Sequence, residues 1–144
     1  MNRASKQDPL LYNELEHTGD LAIEITAPAH AELFRRAALA LAALLVESSV
    51  KGSEVRRIKV TADDDAALMH DLLTELLQLF AADGFIWQDV SVAEHERQLY
   101  VTMRGEFYHP AHHMTRDEIK AVTYHQLTVE NIDHRWRASI IFDV

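Results

Sequence analysis

The stretch Asp20–Val46, DLAIEITAPAHAELFRRAALALAALLV, changes its apolar period midway, and that change decides the fold class. Leu21, Ile23 and Ile25 fall on one face, against Ala22, Glu24 and Thr26 on the other. A period of two specifies a half-buried strand. Pro28 stands where a helix can begin. From about Ala29 to Val46 the spacing is helical: Leu33, Ala37, Leu41 and Leu45 form one row, with Phe34 and Ala38 beside it. A strand feeding directly into an amphipathic helix is a unit of a layered α/β or α+β domain.

Further along, Lys51-Gly52-Ser53 breaks the helical pattern, and Val55 to Ala62 reads as a strand with Ile58 and Val60 inward. Asp63, Asp64 and Asp65 open a second helix, where carboxylates meet the positive end of the helix dipole. Its apolar face is Leu68, Leu72, Leu76 and Phe80, flanked by Met69, Leu73 and Leu77, and Asp83-Gly84 closes it. Phe85–Ala93 and Gln98–Phe107 are expected to pair through the turn Glu94-His95-Glu96-Arg97. A polar loop, His109 to Thr115, leads to a second expected hairpin, Ile119–Glu130 with Arg135–Asp143, turning at Asn131–His134. In its last strand Trp136, Ala138, Ile140 and Phe142 face one way, and Arg137, Ser139 and Asp143 the other. The predicted order is β-β-α-β-α-β-β-β-β. The expected fold is a single-domain α+β protein, two main helices on a mostly antiparallel sheet. Residues 1–11 are expected to be a flexible tail and 12–144 the domain.

The 144 residues are 48% hydrophobic, enough for one ordinary core. No cysteine is present, which excludes disulfides, thiolate metal sites and a cysteine nucleophile, and fits a reducing cytosol. The first ten residues carry no apolar secretory segment, and no apolar run approaches the ~18 residues of a membrane span, so the expectation is cytoplasmic, without membrane attachment. Lys plus Arg number 14 against 23 Asp plus Glu, a formal charge of −9. Such a balance opposes strong autonomous nucleic-acid binding and suits a basic protein partner, a cation or plain solubility. Phosphate loops, GxGxxG, HExxH and GxSxG are all missing, so nucleotide chemistry by this chain alone is not expected.

Four constellations remain. Glu16-His17-Thr18-Gly19-Asp20 brings imidazole, hydroxyl and carboxylate into one turn, which either binds a cation or is an Asx-type structural turn. At the chain end, Asp143 leaves a strand on its non-core face and Val144 adds an α-carboxylate. These oxygens suit a hard divalent cation, or extend into water. His109, His112 and His113 have zinc-ligand character but no periodic scaffold, so a solvated loop is the alternative. Arg35, Arg36, Arg56, Arg57 and Lys59 form two basic clusters, able to contact RNA or an acidic partner, or simply to be solvated.

Glu16-His17-Thr18-Gly19-Asp20 resembles the archease signature, a His-Thr-Ala-Asp turn near the N-terminus. Glu32-Leu33-Phe34 to Ala37–Leu41 looks like that family's first helix. Lys120-Ala121-Val122-Thr123-Tyr124-His125, with Trp136 and Phe142-Asp143-Val144, is similar to its C-terminal strand pair. The resemblance spans Tyr12 to Val144. It implies a metal-binding accessory protein that promotes guanylylation and multiple turnover of an RtcB-type, GTP-dependent RNA ligase in tRNA splicing or RNA repair, with no catalytic residue of its own. Carried over by position, the implied metal ligands are Asp20, Asp143 and Val144. Calcium is the ion implied first, with manganese or magnesium as alternatives. His17 is a structural neighbour rather than a ligand, and Gly19 departs from the family's alanine. Two other classes stay open: a metal-dependent phosphoester hydrolase using Asp20 and Asp143 with His17 or His125, and a general chaperone or interaction module.

Overall fold

The computed structural model describes residues 11–15, 19–47 and 50–144. Among them, two helices and eight strands follow the order β1 (Asn13–Leu15), β2 (Asp20–Ala27), α1 (His30–Leu45), β3 (Glu54–Thr61), α2 (Asp65–Asp83), β4 (Phe85–His95), β5 (Gln98–Phe107), β6 (Ala121–Val122), β7 (Thr128–Ile132), β8 (Arg135–Asp143). The expected tail lies almost wholly outside the described residues. Among the described residues no helix is long and apolar enough to cross a membrane.

The α+β class holds, with the strands divided into two antiparallel sheets rather than one. The first runs β1-β2-β8-β6, with β7 also on β8, and the second runs β3-β5-β4. Alternation assigns a strand's faces but not its neighbours, which is why the division is not legible in the sequence. Helix α1 lies against β2, β4 and α2. Ala40 and Leu44 are therefore buried as well as the expected row, and the buried surface is wider than one stripe. Its many alanines permit close approach. Trp87 Nε1–H, buried in the second sheet, donates to the Ala38 carbonyl at 2.7 Å.

Helix α2 begins and ends where its sequence signals stand. The Asp64 side chain accepts from the Ala67 N–H, and Gly84 closes the helix in the left-handed conformation. Both hairpin turns are tighter than expected. His95 still pairs with Gln98 and Ile132 with Arg135, leaving only Glu96-Arg97 and Asp133-His134 as turns. All four turn residues have positive φ. Such two-residue turns match the twist of paired strands, and here they form without the usual Asn-Gly marker.

The expected Ile119–Glu130 strand is broken. β6 pairs with β8 at Val122↔Phe142, β7 joins the same edge from Thr128 onward, and Gln126 turns between them at φ 53°. No glycine, proline or asparagine announces this turn. Ahead of it, residues 114–117 run beside the end of α1: Glu47 N–H donates to the Met114 carbonyl at 2.8 Å, and Arg116 N–H to Leu45 at 2.9 Å.

Two contacts in the second sheet allow direct tests. A Cβ on Gly105 would meet the Ile86 carbonyl oxygen at 1.8 Å, where only backbone could yield. Gly105→Ala is expected to destabilise by roughly 3 kcal/mol or more in denaturant unfolding. A loss under about 1 kcal/mol would contradict that packing. The Glu106 carboxylate accepts from the Lys51 backbone N–H at 2.5 Å and lies 3.4 Å from His113 Nε2. The Lys51 bond, then His113 and His112, holds its carboxyl below the usual 4.5, while desolvation opposes them. A lowered folded value favours folding above the unfolded one and is lost as pH falls. Thermal melts from pH 7 to 3 are expected to fall less steeply below about pH 4.5 in Glu106→Gln than in the wild type. Parallel curves would refute the assignment.

Candidate metal centre

The antiparallel register of β2 on β8 runs unbroken from Asp20↔Asp143 to Ala27↔Trp136. Its inward members, Ile23, Ile25, Ala138, Ile140 and Phe142, are buried, so the core fixes the phase of both strands. Phase then fixes Asp20 and Asp143. Directly opposed residues share one face, with Cβ atoms ~5 Å apart. Asp143 is exposed and Asp20 partly buried. The same Asp143 pairs on its other side with Ala121, and the Lys120 N–H donates to its carbonyl at 2.7 Å. Thr123 braces the next turn of chain, its N–H and Oγ1 both reaching the Ile141 carbonyl at 3.1 and 3.2 Å. Val144 follows, 41% exposed.

Asp20, at the start of β2, and Asp143, at the end of β8, thus meet at one sheet end despite their distance in sequence. Two carboxylates opposed on one face repel, and that repulsion is the cost a divalent cation removes. Carboxylate oxygens suit a hard divalent ion in chemistry, and the register sets Asp20 opposite Asp143. Among the described residues no group of three His, Cys, Asp or Glu side chains stands close enough to hold an ion. His17 and Thr18 of the turn, and Glu16, lie outside the described residues. Gly19 enters β2 at φ 76° with open space where a Cβ would stand. A side chain would meet backbone strain there, not a clash.

The histidine loop resolves differently. His113 is buried and its Nδ1 accepts from the His109 N–H at 2.8 Å, which leaves its Nε2 proton facing Glu106. His109 Nδ1 accepts from Ala111 N–H at 3.1 Å. Both imidazoles are thereby engaged in holding the loop.

Of the basic residues, Arg35 and Arg36 both pair with Glu32, and they donate to the Val90 and Thr26 carbonyls at 2.9 and 2.7 Å. They tie α1 to both sheets. Arg56 lies over the Phe85 and Phe107 rings, 5.3 and 5.2 Å from their centroids. Arg57 and Lys59 are exposed.

One constellation has no signal in the sequence. His30 opens α1 with Nε2 2.9 Å from Asp65 and Nδ1 against Glu94, while Arg97 lies 3.7 Å from Asp65. These residues line a cavity of about 380 Å³. Glu94 stands 64 positions from His30, and only the folded β4–β5 hairpin brings them together. The two carboxylates lie off opposite ring nitrogens, so His30 separates them rather than joining them at one ion. Its role is to clamp both helix starts to the hairpin.

A model of the Archease protein family matches residues 12–144. The archease of Methanosarcina acetivorans is 33% identical over 139 residues, covering 92% of this chain and 95% of that protein. The archease of Methanopyrus kandleri is 34% identical over 138 residues, covering 92% and 99%. Among solved structures, the solution structure of protein 1598 from Methanobacterium thermoautotrophicum superposes with a TM-score of 0.78 at 29% identity, covering 92% and 98% of the two chains. A Thermotoga maritima crystal structure, described as an archease and possible chaperone, gives 0.66 at 22% identity, covering 90% and 94%; it speaks for the fold alone. With the family model matching nearly the whole chain and relatives alike over nearly their full lengths, this chain belongs to the archease family.

Proposed function

We propose that this chain is a metal-dependent accessory protein that activates an RtcB-type RNA ligase, promoting its guanylylation and multiple turnover in tRNA splicing or RNA repair, in the cytoplasm. The observation that carries the reading is the Asp20↔Asp143 pairing at the tip of the first sheet. Asp20, Asp143 and Val144 would hold a divalent ion, calcium first and manganese or magnesium as alternatives. When bound, the ion supplies concentrated positive charge that can engage phosphate or carboxylate oxygens of a partner.

The chain's own residues do the positioning. The buried face of β2 and β8 keeps Asp20 and Asp143 in fixed register. The β6 backbone holds the other side of Asp143, so the tip is presented on rigid strands rather than a loose tail. In this reading the ligase performs the chemistry and this chain positions the ion. A metal-independent chaperone role is the second reading. Suppression of client aggregation that survives chelation would support it.

Asp143→Asn keeps shape and removes one of the opposed charges. Without divalent ion at low salt, the variant is expected to be more stable than wild type by about 0.2–1 kcal/mol, because like charges facing across strands are unfavourable. Added calcium is expected to raise the wild-type melting temperature and leave the variant unmoved. Ligase turnover is expected to be stimulated by the wild type and not by Asp20→Asn or Asp143→Asn, both still folded by circular dichroism. Undiminished stimulation by both folded variants would overturn the proposal.

A further inference from the structure

The solvent face of the second sheet has a chemistry opposite to that of the whole chain. Across β3, β5 and β4 the register aligns three rows: Lys59–Tyr100–Ala93, Arg57–Thr102–Ser91 and Val55–Arg104–Asp89. Arg57, Lys59, Tyr100 and Arg104 are all exposed, Tyr100 at 43%. In a protein of net charge −9, these rows set three cations against the single carboxylate of Asp89, with Asp71 and Glu75 of α2 lining a cavity beside Lys59.

Four arginines elsewhere are committed to ion pairs. Arg35, Arg36, Arg97 and Arg137 all stand against carboxylates of the fold. Arg57, Lys59 and Arg104 make no ion pair among the described residues. The opposite face of the central strand, Leu99, Val101 and Met103, is buried, so the three rows form a surface backed by core. Tyr100 stands in the same row as Lys59, and its hydroxyl donates to Gln98 Oε1 at 2.5 Å, which steadies the ring on the sheet.

We propose that this face binds single-stranded RNA, with Arg57, Lys59 and Arg104 on phosphates and Tyr100 stacking on a base. Charge complementarity calls for a polyanion. The exposed ring among the cations selects the class. An acidic polypeptide needs the charges but gains little from the aromatic face, whereas an unpaired base stacks on it. Bases within a duplex are already stacked and cannot reach the ring. The −9 charge of the chain keeps the contact weak and sensitive to salt, in keeping with the expectation against strong autonomous binding. The proposal goes beyond ligase activation and does not involve Asp20 or Asp143.

The test is fluorescence anisotropy with a labelled 12-nucleotide single-stranded RNA on the full-length chain, in low salt with a chelator. Saturable binding is expected. The logarithm of its binding constant should fall with the logarithm of salt at a slope of about −2, from three phosphate contacts at ~0.7 each. Arg57→Ala with Lys59→Ala is expected to weaken binding about tenfold or more, and Tyr100→Ala at least about fivefold. Tyr100→Phe, which keeps the ring, should bind like the wild type, as should Asp20→Asn. Melting temperatures within a few degrees of wild type keep the comparison to folded protein. The proposal is overturned by absence of saturable binding, by undiminished binding in the double variant or in Tyr100→Ala, or by a polyglutamate peptide that competes as well as unlabelled RNA. That last result would identify the face as an acidic-protein surface. Loss of ligase stimulation in Asp20→Asn with RNA binding intact would leave the two proposals standing separately, and either can fail alone.

Discussion

The pairing of β2 with β8 is the constraint on which the rest depends. Because side chains alternate along a strand, a slip of one residue would turn Ile23 and Ile25 out of the core and bring Ala22 and Glu24 in. Burying an unpaired Glu24 while exposing two isoleucines would cost several kcal/mol, so the register is held by the core rather than by the tip. The same register sets Asp20 against Asp143. The two aspartates therefore stand opposite each other as a consequence of burial elsewhere.

Around that pairing, α1 ties the layers together. It packs on β2 of one sheet and β4 of the other, takes the Trp87 indole on its Ala38 carbonyl, and sends Arg35 and Arg36 to opposite sheets from one Glu32 anchor. His30 at its start reaches the first residue of α2 and the β4–β5 hairpin. The polar side chains at the helix start thus do positional work that the apolar row alone could not specify, since apolar contacts are non-directional and these bonds are not.

Much of this was legible in the sequence, and the failures have definite causes. The period change between Thr26 and Ala29 marks β2 and α1, while Asp64 and Gly84 mark the ends of α2. The non-core direction of Asp143 followed from the alternation of Trp136, Ala138, Ile140 and Phe142. The convergence of Asp20 on Asp143 did not follow from any local pattern. It came with a family resemblance, and the strand register bears out the proximity. The break between β6 and β7 was hidden because Gln126 adopts a left-handed conformation without a residue type that favours it. The two basic clusters looked alike as sequence. Their partners separate them: Arg35 and Arg36 pair with Glu32 and Arg56 lies over two aromatic rings, whereas Arg57 and Lys59 stand exposed on a sheet face.

The resulting molecule divides its charge by surface: opposed carboxylates at the end of one sheet, and uncommitted cations across the face of the other. The most direct test of the metal centre is a titration of the isotope-labelled protein with paramagnetic manganese, read from backbone amide signals. The expected result is selective, saturable broadening around Asp20, Ala121, Asp143 and Val144, reversed by excess calcium, with the amides near His30 and His113 unaffected. Broadening centred on either of those histidines, or none around Asp20 and Asp143 at saturating ion, would contradict it.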